Sequence, residues 1–328
     1  MPYDAIVVGG SFAGLSTALY IARACRSVCV IDGGKPRNRF APASHGFFGQ
    51  DGSDPARMIA DARAQLQRYP RARTLAGEAV AAAAVSRGFE VTLTSGERLS
   101  ATKLVLAFGL SDELPQVPGL AERWGRSVLH CPYCHGFEFA GQRLGVLQTM
   151  PMSTHQALLI ADWGPTTLYL NGGAMPDPET QAKLTRRGVA IEPAPIVGLH
   201  GEGAALSSLR LADGRDAAVD ALYLAPRTRL NSPLADQLGC AIDEGPLGPI
   251  IRTDAAKLTT VPGVYAAGDI ARAPHSVTWA AADGVTAAVS LHQALVFEPL
   301  AARGKAGGAG PSPAGGSAQN CQFAGTQA

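Results

Sequence analysis

The chain has 328 residues, room for two domains on a scale of roughly 150 residues each, and 46% of it is hydrophobic. With 28 Lys and Arg against 27 Asp and Glu, it carries no net field that would draw nucleic acid or an anionic membrane. It opens on a strand pattern without a basic leader, and its apolar runs fall short of the roughly 20 residues that span a bilayer, so a cytoplasmic, non-membrane protein is expected.

Tyr3 to Val8 is a short run rich in Val and Ile, which predicts a strand. Glycines follow, then Leu15, Leu19 and Ala22 at helical spacing, which predict a tight turn and a helix. A second strand, Val28 to Ile31, ends at Asp32 and closes a βαβ opening of about 30 residues. A helix over Asp54 to Gln67 comes next, then a strand pair around Phe89 to Leu93 and Leu99, and an apolar run from Lys103 to Ala107. Leu114 to Gly119, with its two prolines, reads as a linker. A second α/β unit begins near Gly141: strand Arg143 to Gln148, a helix through Ala157 to Ala161, strand Thr167 to Leu170, and strands near Leu206 to Leu211 and Ala221 to Leu224. Pro246 to Pro249 marks a return, and Gly263 to Leu295 reads as a strand ending at Gly268 and Asp269, then a long Ala-rich helix. The order predicts an α/β fold of two Rossmann-like three-layer domains, the second inserted in the first. The first would comprise 1–115 and 247–298, and the second 118–244. Residues 301–328 contain GKAGGAGPSPAGGSAQN, too poor in apolar surface to offset ordering entropy, and are expected to be disordered.

The first turn carries chemistry. Gly9, Gly10, Ser11, Phe12, Ala13 and Gly14 form a G-x-G-x-x-G fingerprint with Ser in the middle place. Small residues let backbone approach a pyrophosphate, and the helix N-terminus adds amide donors and the positive end of its dipole. Asp32 stands 18 residues beyond Gly14, where a carboxylate would accept hydrogen bonds from ribose hydroxyls. The competing reading is a helix start whose glycines serve packing alone.

Of six cysteines, at 25, 29, 131, 134, 240 and 321, one pair has a suggestive spacing: Cys131-Pro132-Tyr133-Cys134. It fits a redox dithiol, a zinc half-site or two packing cysteines. Zinc would need two more ligands, and there is no second C-x-x-C or H-x-x-x-H to supply them. Cys25 and Cys29 straddle a helix end and a strand and read as core residues. His135, directly after the pair, could take protons from a dithiol near neutral pH. Its alternative role is a supporting hydrogen bond, and His130 and His275 are weaker candidates of the same kind.

Four motifs, VVGGSFAGLSTALYIA, LVLAFG (Leu104 to Gly109), CPYCHG and VPGVYAAGD (Val261 to Asp269), recur in an order that resembles the pyridine nucleotide-disulfide oxidoreductases of the low-molecular-weight thioredoxin reductase type, over roughly residues 3 to 298. The resemblance implies FAD as cofactor and a homodimer. It puts Asp269 on the ribityl and phosphate part of FAD, and adds Gly33, Arg37, His45, Val80, Ala107, Gly109, Gly268, Ser276 and Val277 to the cofactor's surroundings. It also implies that Cys134 faces the flavin while Cys131 exchanges with the thiol partner. Thioredoxin reductases usually carry Asp where this chain has His135.

That family's inserted domain has its own G-x-G-x-x-A for NADPH, and here the corresponding places hold Gln148, Met150 and Ser153. Met150 and Pro151 would put bulk where pyrophosphate meets backbone, and Pro151 also removes an amide. No Arg or Lys occurs from Gly145 through Thr180 to meet a 2′-phosphate. CPYCHG with a degenerate nicotinamide domain resembles the FAD-dependent dithiol oxidases that form disulfides in natural products such as gliotoxin and holomycin. The implied partners are a small-molecule dithiol and O2, which would leave as H2O2. A disulfide reductase fed by NADPH or ferredoxin is the alternative, and a non-enzymatic flavin-binding sensor leaves CPYCHG unexplained.

Overall fold

The computed structural model describes residues 2–297; the tail assigned to 301–328, with Cys321, lies outside the described residues. The first half runs β1 (Tyr3–Val8), α1 (Phe12–Arg23), β2 (Val28–Asp32), α2 (Pro55–Leu66), β3 (Ala72–Ala76), β4 (Ala79–Val85), β5 (Gly88–Leu93), β6 (Arg98–Leu106) and β7 (Leu110–Glu113). Then follow β8 (Val128–Leu129), α3 (Pro132–His135), β9 (Leu144–Leu147), α4 (Ser153–Ile160), β10 (Thr166–Tyr169), α5 (Pro178–Arg186), β11 (Ala190–Glu192), β12 (Ile196–His200), β13 (Ser208–Leu211), β14 (Asp216–Ala218) and β15 (Ala221–Tyr223). The chain closes with β16 (Arg227–Leu230), α6 (Leu234–Leu238), β17 (Ile242–Glu244), β18 (Pro249–Ile251), β19 (Val264–Ala266) and α7 (Val277–Phe297).

β1, β2, β3, β6 and β19 pair in parallel, and β4 and β5 add an antiparallel edge in the order β3-β2-β1-β6-β5-β4. Leu99 and the run from Lys103 belong to one strand, β6, because its first half pairs with β5 and its second half with β19. The apolar residues of β1 alternate between faces: Ile6 and Val8 enter one core, Ala5 and Val7 the other. A second parallel sheet, β11-β10-β9-β15-β8, with the antiparallel β12-β13-β14 against it, forms the inserted unit. The two return paths are tied by β16 on β7 and by β17 on β18. Leu234, Ala235 and Cys240 pack with Ile6, Leu106 and Ile251, so the chain has rejoined the first core well before residue 247.

Two helices hold the β1–α1 turn. Gly14 lies so close beneath Gly9 that an added Cβ would stand 1.8 Å from the Gly9 carbonyl oxygen. Gly284 of α7 likewise abuts α1, where a Cβ would sit 2.2 Å from the Ala13 oxygen. This contact qualifies the expectation about apolar runs: α7 is long and apolar enough to cross a bilayer, but its Ala280, Gly284, Ala287, Ala288 and Leu291 face is buried. Asp283 lies on that same face, 2.9 Å from Lys257 and 3.6 Å from Arg272. Cys25 is not a core residue; it is exposed and takes the left-handed conformation (φ 59°) that turns the chain from α1 into β2. Cys29 is buried, and desolvation pushes its thiol up to about 11.

Candidate functional site

A cavity of ≈ 680 Å³ runs from the β1–α1 turn to the cysteine pair. Its walls include Gly9, Gly10, Ser11, Phe12 and Ala13, then Asp32, Gly33, Arg37, His45, Val80, Ala107 and Gly109. Gly268, Asp269, Ser276 and Val277 join from the last strand and helix, and Cys131, Cys134 and His135 from the inserted unit. Gly14 alone of the sequence-predicted residues is not in the wall, since it packs beneath the turn. Ser11 is the N-cap of α1 yet makes no capping bond with its side chain, which leaves the helix's first amides facing the cavity. Asp32 accepts a hydrogen bond from the Gly34 amide at 3.0 Å and pairs with Arg63. A carboxylate has further lone pairs for a ribose. A cleft of this size, with a glycine turn at a helix N-terminus and an acid at the end of β2, fits a flavin dinucleotide.

Arg37, Asp269 and His275, all named from the sequence, meet in a hub whose fourth member, Asp112, sequence reasoning missed. Arg37 forks onto Asp112 (Nε–Oδ2 3.0 Å, Nη2–Oδ1 2.5 Å), while its Nη1 lies 2.9 Å from Asp269 and 2.7 Å from His275 Nδ1. Asp112 comes from β7, a four-residue strand with no apolar alternation to announce it. His130 and His275, weak candidates in sequence, stand with ring centroids 6.5 Å apart beside this network. Burial, then the Arg37 charge, holds the His130 imidazole down to about 4, and its Nδ1 is buried without a hydrogen-bond partner. Two of the groups, Arg37 and Asp112, sit in the first domain, whereas His130 directly precedes Cys131.

Cys131 is the N-cap of α3 and Pro132 its first residue, a position where the missing amide costs no intrahelical bond. The short helix brings the two cysteines together as a disulfide with Cα atoms 5.3 Å apart. Two neighbours, Tyr223 and Trp163, fix it through three contacts. The Tyr223 hydroxyl donates to the His135 carbonyl at 3.2 Å, a Cβ on Gly136 would meet the Trp163 ring at 2.7 Å, and Trp163 lies edge-on to Tyr133 at 5.6 Å. Burial lowers the His135 imidazole below the ordinary histidine value; Glu138 opposes the shift and His45 adds to it. At physiological pH His135 is therefore neutral and able to accept a proton.

At the same end of the inserted sheet as the segment that leads into Cys131, the turn after β9 is closed on itself. The Ser153 hydroxyl accepts from the amides of Thr149 (3.1 Å) and Met150 (3.3 Å), and Pro151 has no amide to offer. At the end of β10, Asn171 accepts the Ile196 amide at 2.8 Å, in the place where a basic cluster would serve a 2′-phosphate.

A twice-wound α/β frame with a nucleotide cleft that ends on a C-x-x-C disulfide defines a flavin-dependent oxidoreductase, and the chain belongs to the pyridine nucleotide-disulphide oxidoreductase family, matched over residues 3–149 and 173–284. Among its relatives, the thioredoxin reductase tcpT of Claviceps purpurea is 34% identical over 81% of this chain and 86% of its own length. The thioredoxin reductase sirT of Leptosphaeria maculans is 32% identical over 92% and 97%. Among solved structures, an oxidoreductase from Agrobacterium tumefaciens superposes with a TM-score of 0.87 at 43% identity, covering 91% of this chain and 100% of that one. HlmI superposes at 0.85 with 36% identity, covering 90% and 93%.

Proposed function

We propose that the protein is an FAD-dependent dithiol oxidase that closes a disulfide in a small molecule, independently of NADPH. The observation that carries this reading is the β9–α4 turn: its amides at 149 and 150 are spent on Ser153 and the next residue is proline, so none of these three positions offers a donor to a nicotinamide pyrophosphate. The interruption of the family match at 150–172 falls on the same turn, on α4 and on β10.

The chain's residues support the following cycle. A thiolate of the substrate attacks the Cys131 sulfur and displaces Cys134 as thiolate. The second substrate thiolate attacks the substrate sulfur of that mixed disulfide, so the product leaves oxidised and both cysteines are reduced. His135, neutral through burial, takes the substrate proton at its ring nitrogen and holds it beside the Cys134 thiolate. FAD, when bound along Gly9 to Gly14, Asp32, Arg37 and Asp269, supplies two-electron acceptance from the cysteine pair, with O2 carrying the electrons away as H2O2. Tyr133, between the two cysteines (72% exposed), and Phe137, three residues beyond them (83%), present apolar surface beside the pair that suits a small organic dithiol.

Anaerobic stopped-flow tests the reading directly. A small dithiol should bleach the flavin within the turnover time, NADPH should not, and air should restore the colour with one H2O2 per disulfide. Rapid bleaching by NADPH would establish a reductase instead.

A further inference from the structure

The geometry points to a divalent-cation site of the zinc class at the mouth of the disulfide cavity, built from His45, His135 and Glu138. One ligand atom from each lies within 4.8 Å of the others. The His45 Nε2 stands 3.3 Å from Glu138 Oε1, and its ring meets that of His135 edge-on at 6.1 Å between centroids. Two imidazoles and one carboxylate are a donor set that zinc accepts with a fourth position left open. Small side-chain rotations would close these separations to the roughly 2.0–2.2 Å bonds of such a site.

Two further features support a cation here. The other ring nitrogen of His45, Nδ1, faces Asp51 at 3.5 Å, which is how a carboxylate behind a ligating histidine fixes its tautomer and turns Nε2 toward the metal. The ligands also come from separate parts of the fold. His45 sits on the loop before α2, whereas His135 ends α3 and Glu138 follows on the next turn. A bound cation would therefore tie the first domain to the cysteine-bearing segment. His45 and His135 line the same cavity as Cys131 and Cys134. In the disulfide state neither cysteine offers a thiolate, so the oxidised protein would bind through nitrogen and oxygen alone; after two-electron reduction by a dithiol, one thiolate could complete the shell.

One consequence rests on the proposed function. A cation on His135 takes the lone pair that would accept the substrate proton, so occupation should block turnover reversibly. The binding itself does not depend on that reading and is measured without any thiol present.

The test is calorimetric titration of the oxidised, flavin-loaded protein with Zn2+, joined to zinc-edge X-ray absorption. We expect one saturable site per chain, with a nitrogen and oxygen shell at about 2.0–2.2 Å and imidazole scattering beyond it. Glu138→Gln and His45→Ala should each weaken binding by at least about tenfold. Because His45 lines the flavin cavity and Glu138 does not, Glu138→Gln is the decisive variant, with its flavin spectrum and thermal midpoint as the folding control. Absence of saturable binding below about 100 µM would overturn the site, given the affinities that three-ligand zinc sites reach. An affinity that Glu138→Gln leaves unchanged would overturn it equally.

Discussion

Cys131 and Cys134 both line the cavity as a disulfide, and His135 directly follows the second of them. Replacing either by Ser removes the exchangeable disulfide while keeping a side chain of similar size. We expect each variant to retain its flavin and to lose thiol-driven flavin reduction by at least about a hundredfold, read by anaerobic stopped-flow. Loss of the flavin itself would give the pair a structural role. This much was legible in the sequence, because C-x-x-C spacing is a local property. Arg37, Asp269 and His275 were named from the sequence, but Asp112 and the pairing of the four were not, because only tertiary folding brings positions 37, 112, 269 and 275 together. The metal-ligand group was hidden for the same reason: positions 45, 135 and 138 share no spacing rule. His130 gives a test of the hub that needs no substrate. Its folded pKa of about 4 lies below the unfolded value near 6.5. As pH falls through 6.5 the unfolded chain takes up a proton that the folded one refuses, so stability is full above about pH 7 and declines toward pH 4. His135 and His275 are shifted downward too and add to the same slope. Urea unfolding at pH 7 and pH 5 should show a loss of which about 1–2 kcal/mol belongs to His130, so that His130→Gln reduces the slope by that share and leaves the part due to His135 and His275; an unaltered slope in the variant would remove His130 as a source.

At the scale of elements, long periodic segments were read closely and short ones were not. β1, α1, β2 and α2 match their sequence patterns because each has enough residues to display a period and clear ends, Asp54 capping α2 onto the Ala56 amide at 2.7 Å. β7, β16 and β17 are three or four residues long, carry charges at Asp112, Arg227, Arg229 and Asp243, and exist because a partner strand completes their backbone pairing. α7 was read as a helix, but its buried Asp283 is what fixes its seat. The carboxylate neutralises Lys257 and Arg272 under the α1–α7 contact. Asp283→Ala leaves two partly buried cations without their carboxylate, and removal of one partner from a buried group of this kind costs up to about 3–5 kcal/mol. Chemical denaturation should register a loss of that size, with flavin retention reduced in parallel because Ala13 and Gly284 set the nucleotide turn. A change below about 1 kcal/mol would mean that solvent screens the group as it does surface pairs.

The whole molecule is organised around a cleft whose walls come from both halves of the chain. The nucleotide turn, Arg37 and Asp269 belong to the first sheet, and Leu129 to Cys134 to the strand and helix that open the inserted unit. A ligand that touches both walls stabilises both, since binding to the folded state alone adds RT ln(1 + [L]/Kd) to unfolding. At free FAD a thousandfold above Kd this amounts to about 4 kcal/mol. For a chain of this size that corresponds to roughly 6 °C in the unfolding midpoint. If the two units were energetically separate, calorimetry of the flavin-loaded protein would resolve two transitions and only the one from the first sheet would move on removal of FAD. The contacts of β16 on β7 and of Leu234 and Cys240 with the first core argue against separation, because they make the return path of the insertion part of the first domain's packing. We therefore expect one cooperative transition in the loaded protein that shifts down as a unit when the flavin is stripped. The inserted unit's tryptophan signal, dominated by Trp124 and Trp163, should move with the calorimetric midpoint. A Trp transition that stays in place while the calorimetric midpoint falls would show that the cleft couples the halves in geometry but not in energy.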